Sequence, residues 1–213
     1  MSQETISLTL TKLIEFYPKS KVSLNFETTW QLLVATILSA QSTDAVVNKI
    51  TPELFKKFPN LEDFSSASIE ELEEAIKKVG LYKRKAKSII DTAGIILKEY
   101  NREIPQSLQE LEKLPGIGRK TANVIMGVGF RKAEGIAVDT HVKRLSYRLA
   151  WSTESNPKKI EQDLMNKIPK EYWTKITHLL IDHGRAICTA KRPFCSKCII
   201  NTDCKKVGVK NPR

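Results

Sequence analysis

The sequence predicts an all-α protein, on three observations. Apolar residues recur every three to four positions in one segment after another. Glycine supplies only 9 of 213 residues, about 4% against an average near 7%. No run of alternating polar and apolar residues is flanked by an Asn-Gly or Asp-Gly turn, so strands have no support. With 41% hydrophobic and 28% charged residues the chain buries a real core and is not disordered. Its length fits one large domain or two small ones.

Each element follows from its own pattern. Thr29 to Ala40 is apolar nearly all round, which predicts a central helix buried on every side. Ile69, Leu72, Ile76 and Val79 form the next stripe, opened by a Ser68/Glu71 capping box and stopped by Gly80. Ala86, Ile89, Ile90, Ala93, Ile96 and Leu97 mark another helix. Ser107 and Glu110 form a second capping box ahead of a short helix bearing Leu108, Leu111 and Leu114. Thr121 to Phe130 resumes the stripe through Ala122, Val124, Ile125 and Val128. Later stripes run through Leu145 and Leu149, Ile160 and Leu164, and Ile176, Leu179 and Leu180. Pro18, Pro52, Pro59, Pro105, Pro157 and Pro169 are expected at helix boundaries. No low-complexity linker or internal repeat marks a domain border.

Charge narrows the function. Lys and Arg number 35 against 24 Asp and Glu, a net charge of +11 and a pI near 9.5, the footprint of a protein that meets phosphates or an anionic membrane. No stretch approaches the roughly 18 consecutive apolar residues of a membrane span. The start Met1-Ser2-Gln3-Glu4 carries an acid where a signal or transit peptide wants a cation, so the protein is expected to be intracellular and soluble.

All four cysteines fall near one end, as Cys188, Cys195, Cys198 and Cys204, with spacing C-x6-C-x2-C-x5-C. A disulfide framework staples distant loops of small secreted domains, not one short loop of a chain without an export signal. Four thiolates converging from one loop complete either a tetrahedral zinc site or a cubane [4Fe–4S] cluster. Only Cys195-Ser196-Lys197-Cys198 is a short knuckle of the zinc kind, and the wider outer gaps favour the larger cofactor. Between the first two ligands, Lys191 and Arg192 either reach phosphates or screen the anionic thiolates, and the two roles are compatible.

Leu114-Pro115-Gly116-Ile117-Gly118-Arg119-Lys120 places two glycines where the backbone must turn between helices. Without Cβ atoms, a phosphate oxygen approaches their N–H groups closely, and the start of the next helix adds free donors and a positive dipole end. Such a clamp positions a protein on a nucleic-acid backbone without reading bases. A plain helix–helix connection would look similar, but +11 favours the clamp.

The segment from Leu114 to Ala122 resembles the helix-hairpin-helix motif of the endonuclease III family of DNA repair glycosylases. Three more elements agree in order and separation: Leu38-Ser39-Ala40-Gln41-Ser42-Thr43-Asp44, Val138-Asp139-Thr140-His141-Val142, and the cysteine spacing, which matches that family's [4Fe–4S] loop. The resemblance spans about residue 20 to Cys204 and implies a [4Fe–4S] cluster rather than zinc. It implies two α-helical lobes: a six-helix barrel over 23–132 containing the hairpin (107–130), and a second lobe of 1–22 plus 133–213 with the cluster loop (188–204). Damaged or abasic duplex DNA would lie in the cleft between them, bound by a monomer in the cytoplasm or nucleoid of a bacterial or archaeal cell.

The resemblance also assigns chemistry. A lysine amine is a nucleophile only when neutral, which at an ordinary pKa near 10.4 holds for about one in 2,500 at pH 7. A helix start, a neighbouring Arg119 and desolvation by bound DNA all favour the neutral amine. Lys120 matches the family's Schiff-base lysine, and Asp139 its catalytic aspartate, although by itself Asp139 reads as a helix N-cap. Gln41 and Leu81 match positions that fill the gap left by a flipped base, and His141 is placed to line the pocket. Leu114, Pro115, Gly116, Ile117, Gly118 and Arg119, with Lys191 and Arg192, are the expected DNA contacts. The implied activity is excision of oxidised pyrimidines followed by strand cleavage 3′ to the abasic site by β-elimination. Alternatives are a non-catalytic DNA-binding module with a structural metal, an electron carrier, which leaves the basic hairpin unexplained, and the superfamily's monofunctional adenine glycosylases. That last branch lacks a lysine at the position of Lys120 and carries a further domain where only nine residues follow Cys204 here.

Overall fold

The computed structural model describes residues 3–213; Met1 and Ser2, part of the expected second lobe, lie outside the described residues. Every regular element among the described residues is helical, and there is no strand. The chain divides into two compact units: Ser23–Lys132, and the chain up to Val22 joined to Ala133–Arg213. Helix α1 (Gln3–Phe16) belongs to the latter.

The unit Ser23–Lys132 is built around α2 (Thr29–Ser39), capped by Thr28, whose hydroxyl accepts from the Gln31 N–H at 3.2 Å. Every residue from Leu32 to Leu38 is buried, so the helix is central for the reason its composition predicts. It packs against α3 (Asp44–Lys57), α6 (Tyr82–Glu99) and α8 (Arg119–Val124). Between them run α4 (Leu61–Ser66), α5 (Ile69–Ile76) and α7 (Leu108–Lys113). Phe64 of α4, Leu72 and Ile76 of α5, and Ile89 and Ile96 of α6 meet in a core that water does not reach; burying each such side chain contributes about 1.5–3 kcal/mol.

Seven α-helices occupy this unit, among them the six-residue α4, started by an Asn60/Asp63 capping box. Three details depart from the sequence patterns. Pro52 lies inside α3 instead of bounding it. Pro52 is exposed, so its ring interrupts the helix hydrogen bonding on the solvent side and leaves the buried stripe of Val47, Ile50, Thr51 and Leu54 intact. The Ser107 box is half made: the Ser107 hydroxyl accepts from the Glu110 N–H, but the Glu110 carboxylate is taken by the Tyr100 hydroxyl and the Lys113 ammonium. Finally, the stripe from Thr121 to Phe130 is α-helical only to Val124 and continues as a π-helix over Ile125–Gly129, closed by Phe130 N–H to the Ile125 carbonyl.

The second unit packs α11 (Trp173–Ala186) against α1 and α9 (Thr140–Arg148), with α10 (Pro157–Lys167) beside α9. Ile6, Leu10 and Leu13 of α1 join Val142, Leu145, Leu149, Trp151, Leu164, Ile176, Leu179 and Leu180 in one core. No helix among the described residues is long and apolar enough to cross a membrane.

Candidate nucleic-acid interface and cysteine site

The hairpin is held from beneath and open above. Leu114 and Ile117 are 2% and 5% exposed and anchor the turn in the core, while Gly116 and Gly118 are exposed. The Ile117 N–H donates to the Leu114 carbonyl at 3.1 Å, and the Thr92 hydroxyl of α6 donates to the Pro115 carbonyl at 3.0 Å. Gly116 has φ +79°, and a Cβ there would meet the Cβ of Ser88 at 3.0 Å, so the position demands glycine. Gly118 caps α8 with no side-chain acceptor, and a Cβ on it would meet nothing within 4 Å. Arg119 is drawn to Glu112 at 3.2 Å, whereas Lys120, on the first turn of α8, is exposed.

Gln41 and Leu81 are neighbours in the same unit. Both are exposed and both have left-handed backbone, φ 54° and 57°. Their turns abut so closely that a Cβ on Gly80 would stand 3.2 Å from the Gln41 carbonyl oxygen.

The other unit holds Asp139, His141 and the cysteines. Asp139 is the N-cap of α9: its Oδ1 accepts from the N–H groups of His141 and Val142, each at 2.8 Å. Both bonds fall on that one oxygen. His141 is half-buried, with Nδ1 3.1 Å from Arg144 Nη2; burial moves its pKa down and the neighbouring Asp139 opposes that shift.

Cys188, Cys195, Cys198 and Cys204 line one pocket of about 400 Å³, mouth included, with Leu145, Leu149, Ile187, Phe194 and Ile200 among its apolar walls. All four thiols are free. Among the described residues no three His, Cys, Asp or Glu side chains are placed to hold a single metal ion. Four thiolates on one zinc would crowd within about 4 Å of each other at Zn–S bonds of about 2.3 Å. In a cubane each thiolate takes its own iron, and the sulfurs stand apart around a shared core. Four thiols lining one pocket are a donor set that a cubane, with one iron per thiolate, can use.

Donors converge on these sulfurs. Arg148 Nη1 lies 3.2 Å from Cys188 Sγ while its guanidinium also donates to the carbonyls of Thr189 and Ala190, at 2.8 and 2.7 Å. His183 Nε2 lies 3.3 Å from Cys198 Sγ, and the Lys206 N–H donates to Cys204 Sγ at 3.4 Å. Burial pushes the Cys198 thiol up to about 11 and raises Cys204 as well. Arg144 adds bonds to the carbonyls of Cys188 and Gly184. Lys191 and Arg192 project from this loop, exposed. The last residues fold back on it: the Arg213 N–H donates to the Pro193 carbonyl at 2.8 Å, the Ser196 N–H donates to the Arg213 carbonyl, and the Arg213 guanidinium lies over the Phe194 ring.

Sequence reasoning missed Lys85, Arg144, Arg148, His183 and Tyr17. A signal existed for some of them: Lys85 falls four residues before Ile89 on the buried face of α6, Arg144 and Arg148 border the Leu145/Leu149 stripe, and His183 extends the stripe of Ile176, Leu179 and Leu180.

A buried-backed hairpin with an exposed lysine, followed by a capped aspartate and a cysteine-lined pocket, defines a helix-hairpin-helix protein of DNA base repair. The family model described as HhH-GPD superfamily base excision DNA repair protein matches residues 34–170. Endonuclease III of Synechocystis sp. is 46% identical over 86% of this chain and 84% of its own, and that of Bacillus subtilis 41% over 97% and 94%. A solved structure of a trapped endonuclease III–DNA covalent intermediate superposes with a TM-score of 0.90 at 39% identity, covering 97% of both chains. The chain belongs to the endonuclease III family within that superfamily.

Proposed function

We propose that this protein is a bifunctional DNA glycosylase and abasic-site lyase of base excision repair, which excises oxidised pyrimidines from duplex DNA and cuts the strand 3′ to the resulting gap. The observation that carries the reading is the exposed amine of Lys120, one residue past Arg119 on the turn that leaves the hairpin, in a chain so similar to an endonuclease III trapped covalently on DNA.

The hairpin backbone from Leu114 to Gly118, with Arg119, holds phosphates and sets the register without reading bases. Extruding the damaged base costs a few kcal/mol, least for a poorly stacked lesion, so stacking loss becomes selectivity. Gln41 and Leu81 occupy the space it leaves, and His141 lines the pocket that receives it. The neutral Lys120 amine attacks C1′ of the sugar, the C1′–N bond breaks, and the base departs with the electron pair and gains a proton. Sugar ring opening leaves an imine between Lys120 and C1′. Removal of a C2′ proton then expels the 3′ phosphate, and water releases the lysine. Asp139 moves protons and supports the positive charge that grows at the sugar, from a carboxylate fixed by the α9 cap.

Cys188, Cys195, Cys198 and Cys204 would hold a [4Fe–4S] cluster, which when bound supplies a rigid cross-link through the 188–204 loop. That loop presents Lys191 and Arg192 to phosphates. The compact units of the fold serve as the two lobes, one bearing the hairpin and Lys120, the other Asp139 and the cysteines. The place of action is the genomic DNA of the cell, in cytoplasm or nucleoid, and the active species is a monomer.

Borohydride reduces an imine to a stable amine, so it tests the reading directly. On a duplex containing thymine glycol, the native protein yields a covalent protein–DNA adduct and Lys120→Ala yields none. Base release without an adduct from either protein would assign the chemistry to water, as in the adenine branch. Binding with no base release from any lesion would reduce the protein to a DNA-binding module.

A further inference from the structure

We infer that Lys85 is a positioning residue that locks Gln41 and Leu81 into one rigid two-pronged wedge; the inference rests on the reading that these two side chains fill the gap behind a flipped base. Lys85 lies one turn into α6, its N–H bonded to the Leu81 carbonyl at 3.0 Å. Its side chain is 5% exposed, which is rare for a lysine. Its Nζ donates to the Leu38 carbonyl at 2.8 Å and to the Ser42 hydroxyl oxygen at 3.1 Å. Both partners are neutral. A buried ammonium without a counter-charge is costly, and burial accordingly moves its pKa below the ordinary lysine value. An alkyl side chain would fill the same space without that cost, so the two bonds are what the position requires.

The Leu38 carbonyl is among the last of α2, where a helix leaves acceptors without intrahelical donors. The Ser42 N–H, the donor that would serve it in a continuing helix, instead bonds the Ser39 carbonyl at 3.1 Å. Lys85 supplies the missing donor and places positive charge at the negative end of the helix dipole. Ser42 then links the two turns. Its hydroxyl oxygen accepts from Lys85 and also from the Gly80 N–H at 3.1 Å. Ser42 directly follows Gln41, and Gly80 directly precedes Leu81. One buried cation and one hydroxyl therefore join both turns to the end of α2.

Left-handed backbone is costly for a residue with a Cβ, and such conformations persist only where the surroundings over-determine them. Gln41 and Leu81 are both exposed, Leu81 at 54%, so their own side chains have little packing to hold them. The support comes from below, through Lys85, Ser42 and Gly80. A wedge must enter a stacked duplex without folding away, and this framework fixes the direction of both prongs before DNA arrives.

The test compares native protein with Ser42→Ala, a small change that removes the junction between the turns, and with Lys85→Met. Single-turnover excision of thymine glycol from duplex DNA is measured beside the fluorescence of a 2-aminopurine next to the lesion, which reports unstacking. Borohydride trapping on single-stranded abasic DNA, which has no gap to fill, is the companion readout. Both variants are expected to lose about tenfold in duplex excision, the worth of roughly one lost hydrogen bond, and to lose the 2-aminopurine signal. Trapping on single strands stays close to native, because there the wedge has no gap to fill. Equal losses on both substrates, or no loss on either, would overturn the inference; if Lys85→Met does not fold, Ser42→Ala decides alone. A Gln41→Ala/Leu81→Ala double variant separates the two levels. Native duplex excision by that variant removes the gap-filling reading and the inference with it, whereas slow excision beside a native-like Ser42→Ala removes only the role of Lys85.

Discussion

His183 turns its Nε2 to within 3.3 Å of the Sγ of Cys198. Its other ring nitrogen, Nδ1, faces the hydroxyl of Tyr17 at 3.0 Å, and burial holds that phenol up to about 12. In the tautomer that carries its proton on Nε2, the ring accepts from the Tyr17 hydroxyl and donates to the sulfur. Groups behind a metal ligand fix its orientation, and their loss typically costs about 10–100-fold in metal affinity. With the proposed cluster bound, His183→Phe is expected to lose its absorbance to a chelator faster by a factor in that range, and Tyr17→Phe to fall between it and native protein. A native rate of bleaching in His183→Phe would show that the bond does not steady the cysteine.

The cap made by Asp139 and the catalytic role proposed for it are separated by one pair of variants. Asparagine caps a helix about as well as aspartate, so Asp139→Asn keeps the two bonds to the His141 and Val142 N–H groups and the stability of the fold. Its excision rate should fall by about 10²–10⁴, the usual contribution of a positioned acid–base group. Asp139→Ala loses the cap too, at about 1 kcal/mol of stability. Thermal melts beside single-turnover rates check both, and native excision by Asp139→Asn would leave Asp139 a cap alone.

The elements legible in the sequence are those whose cause is local. The Ser68/Glu71 box starts α5 as its spacing predicts, and the unbroken apolar run of α2 is buried on every side. Periodicity could not place Pro52, because a proline on the solvent face of α3 costs one hydrogen bond that water replaces. Nor could it foresee that Glu110 would abandon the Ser107 cap for Tyr100, a partner ten residues back in the chain. The same division runs through the site. The hairpin, Lys120, Asp139 and the cysteines sit in short linear motifs. Lys85 and Ser42 are 43 residues apart, and Tyr17 and His183 are 166 apart, so their roles exist only once the chain has folded.

The Tyr100 contact makes an alkaline signature. The bond to Glu110, at 2.5 Å, holds the phenol up to about 12 against an ordinary 10, while the Lys113 bond chiefly holds Glu110 below the usual carboxylate range. The folded protein therefore keeps a proton that the unfolded chain gives up. What the raised Tyr100 phenol contributes to stability is complete below pH 10 and is lost as the pH climbs to about 12, while the share of the lowered Glu110 carboxyl is lost on the acid side. Tyr100→Phe should flatten the fall in stability across that window, seen as denaturation midpoints that change less between its two ends than those of native protein. Parallel curves for the two proteins would contradict it.

The two glycines of the hairpin should fail in different ways. Gly116 has φ +79° and its missing Cβ would press on Ser88 at 3.0 Å, so Gly116→Ala strains the turn in the free protein. A loss of about 1–3 kcal/mol in stability is expected. Gly118 has extended backbone and open space where a Cβ would stand, so Gly118→Ala should melt with the native protein. Its methyl group nevertheless occupies the surface where a phosphate must approach the backbone N–H groups of the turn. Because that contact is to phosphate and not to base, binding should weaken alike for damaged and undamaged duplexes. Calorimetric melts and fluorescence-anisotropy titrations of both variants check the contrast. Native affinity in Gly118→Ala would mean that the open face of the hairpin does not hold the backbone, and the phosphate contacts would have to come from elsewhere on the basic surface, Lys191 and Arg192 first.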